Sequence, residues 1–322
     1  MAKGFKRKYF SLVAITATVS MINIQAQAAR VATIDDIVVS ANKTLQDESD
    51  VSDDIEVIDE EEIKERGYQT LKDIFNSIGG ASFTSNGGFG QSTSVYLRGL
   101  DSKRVVVLID GVRFNDPTNL NGSAIELINL DNVKRVEIIK GSQTGVWGAD
   151  AIGGVINIVT KEASKKSTAN LKIEGGSFDS KRFSLLFAKK LDRFDFSLGF
   201  DRFDTDGFSA AEPKQNSKDY KKRGDDLGYE DDPYQNSTIN LKFGYKLTCS
   251  DKLRANIYYI NSTVHYDNGA GSDAPDGPYT LNKINDRLYN LKYIKALKNH
   301  QIEADFKYSN LKELNMVDIV GA

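Results

Sequence analysis

The run Arg193-Phe194-Asp195-Phe196-Ser197-Leu198-Gly199-Phe200-Asp201-Arg202-Phe203 changes character at every residue as far as Asp201. Phe194, Phe196, Leu198 and Phe200 fall on one side, and Asp195, Ser197, Gly199 and Asp201 on the other. A period of two is that of a β-strand, whose successive side chains point to opposite faces. The pattern extends both ways. Upstream, Leu171 and Ile173 alternate with Lys172 and Glu174 over 168–176, and Phe183, Leu185 and Phe187 share a face over 181–190. Downstream, Ile239, Leu241, Phe243, Tyr245 and Leu247 oppose Asn240, Lys242, Gly244 and Lys246 over 237–247. Residues 252–260 and 287–294 repeat the scheme, as do 301–309 with Ile302, Ala304, Phe306 and Tyr308.

A soluble sandwich also alternates, so the connections decide between the two. Tight turns near Leu191-Asp192, at 248–251 and at 297–299 join the second strand to the third, the fourth to the fifth and the sixth to the seventh. Long polar loops, 204–236 and 265–286, join the third to the fourth and the fifth to the sixth. Short turns on one side and long loops on the other are the habit of outer-membrane barrels, the short side being periplasmic. This places Cys249, the only cysteine, in a periplasmic turn without an assigned role. An open sheet edge in lipid leaves backbone groups unpaired. Seven strands therefore predict a fragment, a truncated product or one piece of a split reading frame.

Composition agrees and sets limits. Mean hydropathy is −0.40, ordinarily the mark of a soluble protein, but only alternate residues of a barrel strand face lipid. Sixteen Phe and 14 Tyr against one Trp, with 26 Gly and five Pro, suit pleated structure. A net charge of −3 gives no global basic surface for nucleic acid. With two histidines, His265 and His300, and no nucleophile elbow or metal spacing, no enzyme constellation emerges.

The chain opens with Lys3, Lys6, Arg7 and Lys8, an apolar run over 11–24, and Ala26-Gln27-Ala28. This is the layout of a secretory signal peptide, residues 1–28, cut after Ala28. The run falls short of the ~20 residues that span a bilayer. Then comes Asp36-Ile37-Val38-Val39-Ser40-Ala41, followed by a linker with five acids and no bases over 44–54. A short β-prone segment on a charged, coreless linker is free to add itself to a partner's sheet edge, although a disordered tail reads the same way.

Residues 55–161 read as a compact α+β domain. Asp59 and the acids Glu60, Glu61 and Glu62 open a helix to Arg66, stopped by Gly67. A second helix over 70–77 gathers Leu71, Ile74, Phe75 and Ile78 on one face and ends at Gly79-Gly80. The β-branched runs 94–98, 104–109, 135–139 and 155–160 read as strands, with a turn at Asp110-Gly111. Gly87, Gly88 and Gly90 give one loop a backbone that turns sharply and admits close approach; a flexible hairpin tip is the plain alternative. Gly148, Gly153 and Gly154 predict a chain passing close to a wall. Arg98, ending an apolar strand, predicts a buried guanidinium paired with an acid.

Four motifs stand in order: Tyr96-Leu97-Arg98-Gly99; Val107-Leu108-Ile109-Asp110-Gly111-Val112-Arg113; Arg135-Val136-Glu137-Ile138-Ile139-Lys140-Gly141; and Gly148-Ala149-Asp150-Ala151-Ile152-Gly153-Gly154-Val155-Ile156-Asn157-Ile158-Val159-Thr160. Together they resemble the plug motifs of TonB-dependent outer-membrane receptors. The loop from Asn86 to Ser92 is most similar to that of the cobalamin transporters. Ser142 and Asp131-Asn132 depart from the family, which carries proline at or near those places.

The resemblance implies an α+β plug domain followed by the N-terminal part, about seven antiparallel strands, of an outer-membrane β-barrel. The resulting division is signal peptide 1–28, TonB box and linker 29–54, plug 55–161 and partial barrel 168–322. Asp36, Ile37, Val38, Val39, Ser40 and Ala41 become the TonB box, and TonB the partner. Asn86, Gln91, Ser92, Asn119 and Asn121, on loops 87–92 and 115–123, become substrate contacts. Arg98, Gly99, Asp110, Gly111, Gly153 and Gly154 become structural plug residues. By position, Glu230, Asp232 and Asp267 become ligands for Ca²⁺ in the two long loops, with Ser209 in place of one family acid; no other cofactor is implied. The implied function is active transport of a scarce nutrient, cobalamin before haem or a ferric siderophore, across the Gram-negative outer membrane. A passive porin or adhesin, or a soluble plug-type binding protein, is the alternative of another class.

Overall fold

The computed structural model describes residues 37–38, 46–47, 54–116, 121–208, 231–266, 279–297 and 301–318. The signal segment, Asp36, Val39, Ser40, Ala41, Asn119, Ser209, Glu230 and Asp267 lie outside them. In the tail, β1 (Ile37–Val38) pairs antiparallel with β2 (Gln46–Asp47). The tail thus folds back on its own linker, in a two-residue ladder too small to be stable alone.

The first element of the plug is a strand that the sequence reading did not assign. Asp54–Asp59 is β3, at the edge of the plug sheet. Helix α1 (Glu60–Glu65) follows, with the Asp59 carboxylate accepting the Glu62 N–H at 2.8 Å. Helix α2 (Leu71–Ser77) starts with a capping box, in which Asp73 accepts from the Thr70 N–H. Its predicted face, Leu71, Ile74, Phe75 and Ile78, is fully buried. Strands β4 (Ala81–Ser85) and β5 (Thr93–Leu97) form a hairpin. Strands β6 (Val105–Ile109) and β7 (Val112–Arg113) form a second, tighter one. Its two turn residues, Asp110 and Gly111, have φ of +49° and +76°, as the two-residue turn that matches strand twist demands. Strand β8 (Val133–Lys140), helix α3 (Thr144–Trp147) and β9 (Gly154–Thr160) complete the domain.

The plug sheet runs β3-β8-β9-β6-β7, with only β6 and β9 parallel. Val105, Val107, Ile109, Ile138, Ile156 and Ile158 pack toward α2. Val106, Leu108, Ile139 and Val155 pack on the opposite face, beside Trp147 and Ile55. A sheet buried on both faces explains why these strands read as unbroken apolar runs.

The wall follows as one antiparallel sheet in sequence order: β10 (Thr168–Gly175), β11 (Lys181–Lys190), β12 (Phe194–Thr205), β13 (Tyr234–Lys246), β14 (Asp251–Tyr266) and β15 (Tyr279–Ala296), then β16 (Gln301–Asn310) and β17 (Glu313–Asp318). The last two both pair with β15 in one register: Arg287 faces Asn310, and Ile284, three residues on, faces Glu313. They form one wall strand interrupted at Leu311-Lys312, where the Asp286 carboxylate accepts the Lys312 N–H at 3.1 Å. The eight hydrogen-bonded segments therefore make the seven wall strands expected. Several strands run further than their apolar alternation, because polar residues continue the ladder above it. The two long loops shrink accordingly to 206–233 and 267–278, while a short connection, 176–180, joins β10 to β11 at the same end.

The wall turns a soluble protein inside out. Leu171, Ile173, Phe187, Leu241, Phe243, Ile257, Tyr289, Leu291, Phe306 and Tyr308 are exposed. Arg182, Ser184, Ser197, Asp201, Asn236, Thr238, Asn240, Ser262, Asp286 and Asn290 are buried against the plug side. Phe194 and Phe243 rings meet at 4.3 Å, and Phe187 and Phe196 at 5.5 Å, near the short turns. Toward the long loops, the continuous apolar row ends at Phe183, Phe200, Ile239, Tyr259, Tyr289 and Tyr308. One step further on the same face stand Lys181, Arg202, Ser237, Asn261, Arg287 and Asn310. On β15 and β17 isolated apolar side chains, Leu281, Leu314 and Met316, recur higher on the same face. An apolar belt bounded by aromatic and then polar rows is a lipid-facing surface. No helix among the described residues is long and apolar enough to cross a membrane.

Candidate functional site

The loop between β4 and β5 is held by the wall at several points. Phe89 meets Phe203 edge-on at 4.8 Å, and Phe203 meets Tyr234 at 5.8 Å. Gly90, at φ +71°, lies so close to the Tyr234 ring that a Cβ there would collide with it. A Cβ on Gly88 would stand 3.1 Å from Phe208. Within this fold, the glycines at 88 and 90 therefore answer first to wall aromatics. Gln91 is buried, and its Nε2 donates to the His265 carbonyl of β14 at 2.7 Å. Ser92 bonds Asn121, whose Oδ1 accepts from Ser94 Oγ at 2.8 Å. Of the proposed substrate contacts among the described residues, Asn86 alone is an exposed side chain. Ser92 and Asn121 tie the two candidate loops together, and Gln91 ties the first to the wall.

Two plug ionisable groups lie beneath this loop. Lys72 Nζ donates to the Gly88 carbonyl at 3.0 Å, and burial holds its ammonium below the ordinary lysine range. Glu126 keeps one carboxylate oxygen shut from solvent with no hydrogen-bond partner among the described residues. Burial pushes its carboxyl up to about 8, against the pull of backbone N–H groups and Lys72.

A second set of contacts fastens plug to wall. The Asp110 carboxylate accepts from Thr160 N and Oγ1, at 3.0 and 2.6 Å, and from Lys242 Nζ of β13 at 2.7 Å. Lys242 also donates to the Thr160 carbonyl at 2.7 Å. Asn132 Nδ2 reaches both oxygens of the buried Asp201 at 2.9 Å. Asp131 pairs with Lys172 at 2.8 Å and faces Arg182 at 3.5 Å. In the sequence Asp131-Asn132 stand out only where the family carries a proline. Their clearest sequence signal was polar residues, among them Asp201, at the centre of strands whose other face is apolar.

At the opposite end the structural residues divide. Arg98 pairs with Asp54, an acid of the plug, as expected. Its guanidinium is not buried: the side chain is 50 % exposed, because Arg98 lies past the end of β5 with φ +50°. Gly99 follows it at φ +80°. Lys140 completes the cluster, 2.7 Å from Glu56. Gly154 does not pass near the wall; a Cβ there would strike the Ile139 carbonyl of the plug's own β8. Gly153 likewise packs on Arg104 and Leu100 of the plug. Of the proposed calcium ligands, Asp232 is buried at the end of the loop that leads into β13, while Glu230 and Asp267 are outside the described residues. Of the box, only Ile37 and Val38 are described.

The comparisons agree with this division. Residues 47–155 match the family model of the TonB-dependent Receptor Plug Domain. The vitamin B12 transporter BtuB of Vibrio vulnificus (strain YJ016) is 31% identical over 242 residues, 75% of this chain and 37% of that protein. The vitamin B12 transporter BtuB of Photobacterium profundum is 28% identical over 306 residues, 95% of this chain and 47% of that protein. The chain thus spans less than half the length of these curated relatives. Among solved structures, a ferric enterobactin receptor of Pseudomonas aeruginosa superposes with a TM-score of 0.64 at 19% identity, covering 86% of this chain and 43% of that one. With a matching plug, an inverted wall and relatives aligned across both, the chain belongs to the TonB-dependent receptors of the Gram-negative outer membrane.

Proposed function

We propose that this chain serves TonB-driven uptake of a corrinoid of the cobalamin class. The observation that carries the reading is the reach of the likeness to vitamin B12 transporters, which runs beyond the plug into the wall strands. Likeness to siderophore receptors is one of fold. On this reading the loop 86–92 and its neighbour 115–123 present polar groups to the substrate, with Asn86 foremost, and calcium held near Asp232 orders the long loops. The tail 36–41 adds as a strand to TonB. Tension then reaches β3, an edge strand paired only with β8, while the Asp110–Lys242 and Asn132–Asp201 contacts hold the remaining plug to the wall. No covalent chemistry is needed.

The test is a chimera in which residues 54–318 replace the matching part of a vitamin B12 transporter. In cells lacking their own transporter, growth on nanomolar cyanocobalamin is expected. Growth supported by a ferric catecholate and not by cyanocobalamin would overturn the substrate. An Ile37→Pro change within an intact tail removes a ladder donor, and unchanged capture of TonB would refute the box.

A further inference from the structure

Three cations stand on the outward face of the wall just above its apolar belt. Lys283 and Arg287 lie on β15, and Lys312, in the interruption between β16 and β17, faces Asn285 between them. All three are exposed. Same-face diagonal neighbours on adjacent strands are about 7–8 Å apart, so the three charges crowd one patch. Among the described residues none of the three side chains makes an ion pair. The acids next to them in sequence face the other way: Asp286 is buried and bonds the Lys312 N–H, and Glu313 bonds the inward Asn282. Arg202, on the same polar row, differs in being neutralised by Asp204.

The patch is also braced. Arg287 Nε donates to Asn285 Oδ1 at 3.1 Å, and its guanidinium lies 5.7 Å from the centre of the Tyr259 ring. Asn285 Nδ2 donates to the Tyr259 hydroxyl at 2.6 Å. These contacts hold the Arg287 side chain in place through its Nε, and its two terminal nitrogens make no ion pair among the described residues. Directly below lie Tyr289, Tyr308 and Leu291, exposed members of the lipid-facing belt. Like charges gathered on one surface repel, and the arrangement is stable when an anion sits among them.

We infer that Lys283, Arg287 and Lys312 form a docking site for the phosphate-bearing headgroup of an outer-leaflet lipid, whose acyl chains run down the belt at Tyr289, Tyr308 and Leu291. The long-loop side of the wall faces outward, so the lipid is one of the outer leaflet. The inference rests on the wall facing lipid and is independent of which nutrient is carried.

The purified chain in maltoside micelles is titrated with bis-phosphorylated lipid A, with lipid A stripped of its phosphates and with inorganic phosphate, and complexes are counted by native mass spectrometry. Retention of the phosphorylated lipid alone is expected, with apparent affinity falling at least tenfold in the Lys283→Gln, Arg287→Gln, Lys312→Gln triple variant. A Lys189→Gln, Lys190→Gln control removes exposed charge near the short turns and is expected to bind as the parent does. Equal retention by parent and triple variant, equal loss in the control, or equal retention of the dephosphorylated lipid overturns the site. If the triple variant loses its β-sheet circular dichroism, the single variants decide, each expected to weaken binding about threefold. Single variants indistinguishable from the parent overturn the site as well.

Discussion

Plug and wall follow opposite rules with the same residue types. In the plug, Phe75, Ile138 and Ile156 are inside and Arg98 is half in water. In the wall, Phe243, Phe306 and Ile302 are outside, and Asp201, Asn236 and Thr238 are inside. The plug sheet, covered on both faces, needs apolar side chains at every position. The wall sheet has lipid on one face and a polar partner on the other, so it alternates. The difference teaches that hydrophobicity marks where the low-dielectric neighbour is, and the neighbour differs between the two halves. It also locates the polar joint: Asp110, Asp131 and Asn132 are the places where the plug meets a wall whose inner face offers hydrogen bonds.

The largest expected effect separates the two halves. Residues 54–161 alone are expected to be soluble and to unfold cooperatively in urea, since about 100 residues can form a core. Residues 162–322 alone are expected to precipitate without detergent. A soluble, monomeric 162–322 would break the comparison. Next, Phe75→Ala is expected to cost about 3–5 kcal/mol in the whole chain in micelles, read by emission of Trp147, the only tryptophan and a plug residue. Phe243→Ala on the outward wall is expected to leave that transition within about 0.5 kcal/mol.

Glu126 gives a pH signature of intermediate size. Its folded carboxyl is raised to about 8 from an ordinary 4.5, so the folded plug holds a proton that the unfolded chain releases. The stability this confers is full below the unfolded value and is lost progressively as pH rises to about 8. Glu126→Gln is expected to flatten that decline and to stabilise the plug at pH 8 by on the order of 3 kcal/mol. Urea midpoints that fall equally with pH in parent and variant would contradict the buried carboxyl. The smallest effect belongs to Arg98→Ala: its ion pair is half-exposed, so a loss of no more than about 1 kcal/mol is expected. A loss several times larger would place Arg98 in the core after all.

Much of this was legible in the residues. The caps at Asp59 and Thr70, the buried face of α2, the turn at Asp110-Gly111 and seven wall strands all rest on local chemistry or on a repeating period. Strand β3 was missed because Asp54, Glu56 and Asp59 make it look like more linker, and its pairing partner β8 is some 80 residues away in sequence. The full lengths of β13, β14 and β15 were missed because polar residues take over above the belt, where the period loses its contrast. Gly88 and Gly90 were legible as close-approach sites, but what approaches them, Phe208 and Tyr234, depends on tertiary contact. The joint residues Asn132, Asp201 and Lys242 were hidden for the same reason: each is an ordinary polar residue until plug and wall come together.

The inverted wall is the central claim, and an alternation scan along β13 tests it most directly. In a Cys249→Ser background, single cysteines at positions 238 to 245 carry an environment-sensitive fluorophore in chain reconstituted into phospholipid vesicles containing brominated lipid. The account predicts blue-shifted, bromine-quenched emission at Ile239, Leu241, Phe243 and Tyr245, and unquenched emission at Thr238, Asn240, Lys242 and Gly244. Quenching that is uniform along the strand, or strongest at Thr238 and Asn240, would contradict it.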